Sequence, residues 1–313
     1  MTATSRPVAL LAAGELLIDL ISTDYADDLS ATREFTRLQG GSPANLCLNM
    51  ARLGHQTHLA AAVGQDPMGD FLVANVADTG LSVAGIRRSP APTTLILVTR
   101  SRAVSDFFPY RGADKDLRVD QFPDDLLRKV QLFHTTCFAL SAAPARTLVL
   151  DAAARAAALG CRLSIDLNYA QKIWPDRVAA QQIVRDYVGH GALVKCSEVD
   201  WERLYGTPLT DAAAAVDHLL RLGAHQVVIT LGEHGSVGGD GDNLVKCPVR
   251  PIAVKDTTGA GDAFWSGYLS GVIDGYGLEA CLRAGRAMAE IKLQHFGPLE
   301  APVERARIYA SPA

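Results

Sequence analysis

Asp256-Thr257-Thr258-Gly259-Ala260-Gly261-Asp262-Ala263-Phe264 is the stretch from which the fold of this 313-residue chain can be read. Gly259 and Gly261 let the backbone turn tightly and approach a ligand closely. Trp265, Tyr268 and Leu269 follow at the spacing of a helix that runs to about Asp274. The first N–H groups of such a helix have no intrahelical acceptor, and its dipole favours an anion. Residues 259–261 are therefore expected to form an anion hole, suited to the charge on a transferred phosphoryl group. Asp262 has two readings here. A lone Asp at a helix start is usually an N-cap. The Gly-Ala-Gly run before it favours the other reading, a base that takes a hydroxyl proton as the phosphoryl group arrives. An unperturbed Asp, with a pKa of about 3.9, is a weak base, but phosphoryl transfer depends mostly on positioning and charge stabilisation.

Outward from this stretch, short β-type runs alternate with helical patterns. Val8–Ala13, 58–63, 132–134, Arg162–Asp166, 193–195 and 227–230 read as strands. Ser42-Pro43 opens a helix, with Ser42 as N-cap, apolar face Leu46, Met50 and Leu53, and Gly54 as stop. Asp66-Pro67 opens another, closed by Gly80; residues 145–159 and 211–222 read as two more. This alternation predicts an α/β fold with a mostly parallel sheet flanked by helices. In such sheets ligands bind beyond the carboxyl ends of the strands. Two segments break the pattern. Residues 19–35 are polar and β-prone, and 93–108 alternate like antiparallel strands. They pair either as a small separate sheet or as an antiparallel extension of the main one. Residues 238–242 read as a hairpin turn. With no linker or repeat, the whole chain, 1–313, reads as a single domain.

Composition narrows the function. Hydrophobic residues make up 48% and charged residues 20%, ordinary for a globular enzyme, and the formal charge of -4 comes with no basic stripe. Nucleic acid is therefore not an expected partner. The apolar run at Val8 meets Glu15 and Asp19 too soon for a signal core or a membrane span, so a soluble, cytoplasmic protein with no membrane partner is expected. The six cysteines, Cys47, Cys137, Cys161, Cys196, Cys247 and Cys281, show no metal spacing and read as small buried hydrophobes. His134 reads as structural, and Trp174, Trp201 and Trp265 as packing residues. There is no Gly-x-Gly-x-x-Gly after the first strand, nor a Gly-x-x-x-x-Gly-Lys-Ser/Thr, which argues against a dinucleotide enzyme and a P-loop kinase.

Four motifs in order resemble the ribokinase-like (PfkB) carbohydrate kinases. They are Gly14-Glu-Leu-Leu-Ile-Asp19, Gly40-Gly41-Ser-Pro-Ala-Asn45, Thr230-Leu-Gly232-Glu-His-Gly235 and the opening stretch at 256–264. The likeness runs from about Val8 to Pro298 and is closest in style to the fructokinases. It implies an ATP-dependent sugar kinase using Mg2+. Asp262 would be the base, and Gly259, Ala260 and Gly261 the anion hole. Asp19, Gly40, Gly41 and Asn45 would contact sugar hydroxyls, and Thr230, Gly232 and Gly235 the nucleotide. Asp256 and the Thr258 carbonyl would hold a monovalent cation such as K+. Segments of about 19–36 and 92–112 would form a β-sheet lid over the sugar, which in many relatives also pairs subunits into a homodimer.

The departures bear on the substrate. The family's Asn-x-x-Glu near the magnesium-bound phosphates appears as Ser197-Glu-Val-Asp200. Residues 284–296 offer Arg286 where an Asn often faces adenine, so no adenine contact is named. Asp166-Leu-Asn168-Tyr-Ala170 resembles a fructokinase and ketodeoxygluconate kinase stretch, with Asn168 on the sugar side, but Ala170 replaces an Arg that helps hold a substrate carboxylate. Lys172 can substitute for it partly as a point charge. Arg111 resembles the lid arginine of both groups, or is a surface charge. The expected acceptor is thus a neutral ketohexose, fructose first, at a primary hydroxyl. A 2-keto-3-deoxygluconate or nucleoside kinase is the alternative within the family, and a non-catalytic sugar-binding regulator the alternative outside it.

Overall fold

A computed structural model describes residues 6–25, 28–100 and 107–310. Among these, nine strands form the main sheet and four a smaller one. In chain order the strands are β1 (Val8–Ala13), β2 (Leu17–Tyr25), β3 (Phe35–Gly40), β4 (Thr57–Gly64), β5 (Ile86–Ser89), β6 (Leu95–Arg100) and β7 (Phe107–Tyr110). They continue as β8 (Val130–Thr136), β9 (Arg162–Asp166), β10 (Leu193–Ser197), β11 (Gln226–Thr230), β12 (Ser236–Gly239) and β13 (Leu244–Cys247).

The main sheet runs β13-β12-β11-β10-β9-β8-β1-β4-β5, and its pairs are parallel except for the two that β12 makes, with β11 and with β13. Its parallel strands are apolar without alternation because both faces are covered. Leu11 and Ala13 of β1 point into one core, under helices Ala145–Ala158, Arg177–Val188 and Ala212–Arg221. Leu10 and Ala12 point into the other, under helices Ser42–Arg52, Pro67–Asp78, Ala260–Ile273 and Leu278–Leu293. Strand order reverses between β1 and β8, so the connections leaving their carboxyl ends pass to opposite faces of the sheet and leave a crevice there.

The small sheet has the order β3-β2-β6-β7, separate from the main one. This confirms the separate-sheet reading and excludes the extension. β2 pairs antiparallel with β3, and β6 with β7, but β2 and β6 are parallel. The alternating pattern carried no information about direction, because parallel and antiparallel strands share a period of two. The 26–27 and 101–106 portions of the expected lid segments lie outside the described residues.

Two local expectations need correction. The N-cap of helix Ser42–Arg52 is Gly41, at φ 103, and Ser42 is already the first helical residue. The expected hairpin turn at 238–242 begins later, because Gly238 and Gly239 pair within β12. The rest of the helical reading holds: Leu46, Met50 and Leu53 are buried, and Asp66 caps its helix by accepting from Gly69 N. The six cysteines are all buried.

Candidate active site

Helix Ala260–Ile273 is buried along its whole length from Ala263 to Val272. Trp265, Tyr268 and Leu269 each contribute on the order of 2 kcal/mol by leaving water. The first turn is therefore held rigidly against the sheet. Gly259 is its N-cap, at φ 72, a left-handed conformation that side chains resist. Asp262 lies inside the first turn, so the N-cap alternative for this residue is excluded. The amides of Gly261 and Asp262 have no intrahelical acceptor to reach. Ala260 N donates to Thr257 O at 3.2 Å, so that amide is already paired within the loop.

The Asp262 carboxylate is half-buried and held from both sides. Ser42 Oγ donates to Oδ1 at 2.6 Å, and Asn45 Nδ2 to Oδ2 at 2.9 Å. Burial pushes the carboxyl up to about 6, while these two hydrogen bonds restrain the rise. Asp262 is thus ionised at neutral pH, yet far more basic than a free Asp. Asp19, on β2, is raised to about 7, first by burial and then by repulsion from Asp262. Gly40 leaves room for it: a Cβ there would lie 2.1 Å from Asp19 Oδ2 and would displace the carboxylate. Asp19, Asn45, Thr258 and Gly259 line one small cavity. The structure therefore brings together Asp19, Gly40, Gly41 and Asn45 with the start of the Ala260–Ile273 helix.

On the other side of Gly261 lies a cavity of about 780 Å³. Ser197, Asp200, Thr230, Gly232, Gly235, Ala260 and Gly261 all line it. Ser197 and Thr230 are neighbours in register at the carboxyl ends of β10 and β11. Ser197 and Asp200 form a capping box on helix Glu198–Tyr205, which fixes both at the cavity wall.

Sequence reasoning missed three residues. Ser42 reads as a cap by type, yet its hydroxyl bonds Asp262. Lys195 lines the large cavity, paired in the core with Asp166 at 2.8 Å, and its Nζ lies 3.3 Å from where a Gly261 Cβ would stand. Its position inside an apolar strand run was the available signal, because a buried Lys requires a partner. Lys292 pairs with Asp256 at 3.1 Å.

Asn168 and Arg111, also expected at the site, line neither cavity. Asn168 Oδ1 accepts from Phe138 N at 3.3 Å. Arg111 is no surface charge: its side chain is 11% exposed, paired with buried Asp114, bonded to Ser141 and stacked on Phe138. His134 is buried, and desolvation lowers it to about 3, so its ring is neutral and structural.

A half-buried carboxylate between a polar pocket and a larger cavity, on a switch-point sheet, fits a phosphotransferase of the ribokinase-like fold. The chain belongs to the pfkB family carbohydrate kinases, whose family model matches residues 9–305. It is an ATP-dependent sugar kinase. One relative, an ATP-dependent 6-phosphofructokinase of Thermoanaerobacterium thermosaccharolyticum, is 32% identical over 93% of this chain and 89% of its own length. Fructokinase-1 of Zea mays is 32% identical over 83% of this chain and 81% of its own. The structure of a Xylella fastidiosa fructokinase with bound ATP superposes with a TM-score of 0.83 at 26% identity, covering 96% of this chain and 97% of that one. No helix among the described residues is long and apolar enough to cross a membrane.

Proposed function

We propose that the γ-phosphoryl group of ATP passes to a primary hydroxyl of fructose, with Asp262 as the base. The observation that carries this reading is the position of Asp262, with Ser42 and Asn45 on its sugar side and Gly261 and the large cavity on the other. The sugar hydroxyl lies against Asp262, held by Asp19 and Asn45. The amides of Gly261 and Asp262 receive the charge of the transferring group, and Lys195 adds positive charge beside them. Glu198 and Asp200, both at the cavity wall, are the carboxylates that would hold magnesium, which would neutralise phosphate charge.

A neutral sugar is favoured over an acid sugar for two reasons. The Arg111 charge is already matched by Asp114, and Lys172 donates to Phe107 O at 3.1 Å. The small sheet of β2, β3, β6 and β7 acts as a lid over the sugar, and its closure excludes water as a competing acceptor. The exposed Tyr25, Phe108 and Tyr110 on that sheet support a homodimer formed through it, which sedimentation measures directly.

The test is ADP release from ATP and magnesium with fructose, glucose, 2-keto-3-deoxygluconate, adenosine and fructose 6-phosphate. The last is included because one relative is a 6-phosphofructokinase. Fructose should give the highest kcat/KM. Preference for the sugar acid or for fructose 6-phosphate overturns fructose while leaving the kinase assignment intact.

A further inference from the structure

The residues at the expected cation site do not fit a bound monovalent cation. Lys292, in the last turn of helix Leu278–Leu293, is buried, with its side chain 5% exposed. Its ammonium donates to Asp256 Oδ2 at 3.1 Å and to His295 O at 3.3 Å. The Asp256 carboxylate is otherwise taken up by the backbone, through Thr258 N at 3.0 Å on Oδ1 and Gly297 N at 3.0 Å on Oδ2. A second cation at this carboxylate would face the ammonium at close range, with one negative charge shared between two positive ones.

The place of the lysine matters as much as its charge. Its Cε lies 3.8 Å from where a Cβ on Gly259 would stand, so its stem runs under the N-cap of the helix that carries Asp262. Asp256 and Lys255 are tied to the end of the lysine's own helix, both donating to Leu293 O. The loop from Asp256 to Gly259 is thus clamped to helix Leu278–Leu293 by an internal ion pair.

We propose that the Lys292 ammonium stands in for the monovalent cation, holding the Asp256–Gly259 loop so that the Gly261 and Asp262 amides keep their aim, and that this kinase needs no potassium. Lys292 is a positioning residue; it touches neither the sugar nor the transferred group. The inference rests on the kinase activity and not on which sugar is the acceptor.

The first measurement is ADP release by the wild-type protein, with its best acceptor, in potassium, sodium or tetramethylammonium salts at matched ionic strength. Rates should agree within about twofold; a potassium-specific stimulation of about tenfold would overturn the proposal. The second uses Lys292→Ala, which opens the space beside Asp256. Its kcat should fall on the order of 10-fold with sugar KM little changed, and potassium or ammonium should restore part of it where tetramethylammonium does not. Unchanged kcat, or a loss that neither potassium nor ammonium reverses, also overturns it. A third measurement needs no substrate: potassium should raise the Tm of Lys292→Ala relative to sodium and leave that of the wild type unmoved. Potassium stabilisation of the wild type counts against the proposal even if the variant is too unstable to assay.

Discussion

Ser42 Oγ donates a 2.6 Å hydrogen bond to Asp262 Oδ1 across 220 residues of chain. It joins the first turn of one helix to the first turn of another, at the place where both N-termini converge. The Asp262 carboxylate is therefore tuned from the far end of the sequence.

Asp262→Asn should lower kcat on the order of 10²-fold or more while sugar binding survives, because the amide keeps the shape and loses the basic oxygen. Steady-state kinetics and calorimetric sugar titration check the two halves. Unchanged kcat would remove Asp262 from its role.

The pH dependence of kcat/KM should show an acid limb. Asp262 is raised to about 6 by burial, and only its ionised form accepts a proton, so activity is lost as pH falls through that value. Asp19, raised to about 7 by burial and by Asp262, titrates with it, and the limb belongs to the pair. An activity profile flat from pH 8 to about 5 would refute this assignment.

Ser42→Ala should move that limb to higher pH. The Ser42 hydroxyl bonds the charged carboxylate and lowers its pKa, so its removal lets burial push the group further up. The shift is read from the same profile, with the wild type alongside.

Gly40→Ala should act on the sugar and spare the nucleotide. The new Cβ falls 2.1 Å from Asp19 Oδ2 and displaces that carboxylate. The sugar KM should rise on the order of 10-fold, with the ATP KM near its wild-type value. Equal changes in both would mean that the whole site had shifted.

Glu15 is raised to about 8, chiefly by burial, and is 2% exposed. Its folded pKa lies above the unfolded one, so the folded state prefers the proton and loses stability as pH rises from the unfolded value to about 8. Glu15→Gln keeps a neutral group there and should raise Tm at pH 9 by more than at pH 5. The gain at alkaline pH is on the order of 1–3 kcal/mol. A Tm difference independent of pH would show that Glu15 is ionised in the fold.

The helix Ala260–Ile273 and the parallel core strands were legible in the sequence because each is a local matter. A Gly-Ala-Gly-Asp run before an apolar helix dictates an N-terminus with open amides. The apolar run Val8–Ala13 dictates a strand covered on both faces, and Asp66-Pro67 a capped helix start. The separate small sheet was legible as a break in the alternation, but the parallel pairing of β2 with β6 was not, because side-chain period is the same in either direction.

Tertiary structure alone decided what the polar side chains do. Ser42 is a good N-cap by type, yet Gly41 takes that place and frees the hydroxyl for Asp262. Lys195 and Lys292 are ordinary lysines in the sequence. Folding buries each against a carboxylate, Asp166 and Asp256, that lies 29 and 36 residues away. Local pattern fixes which backbone segments form, since hydrophobic period and capping act over a few residues. Charge pairing between neighbouring strands, or between a helix end and a loop, depends on how those segments stack, and that is set only when the helices pack onto both faces of the sheet.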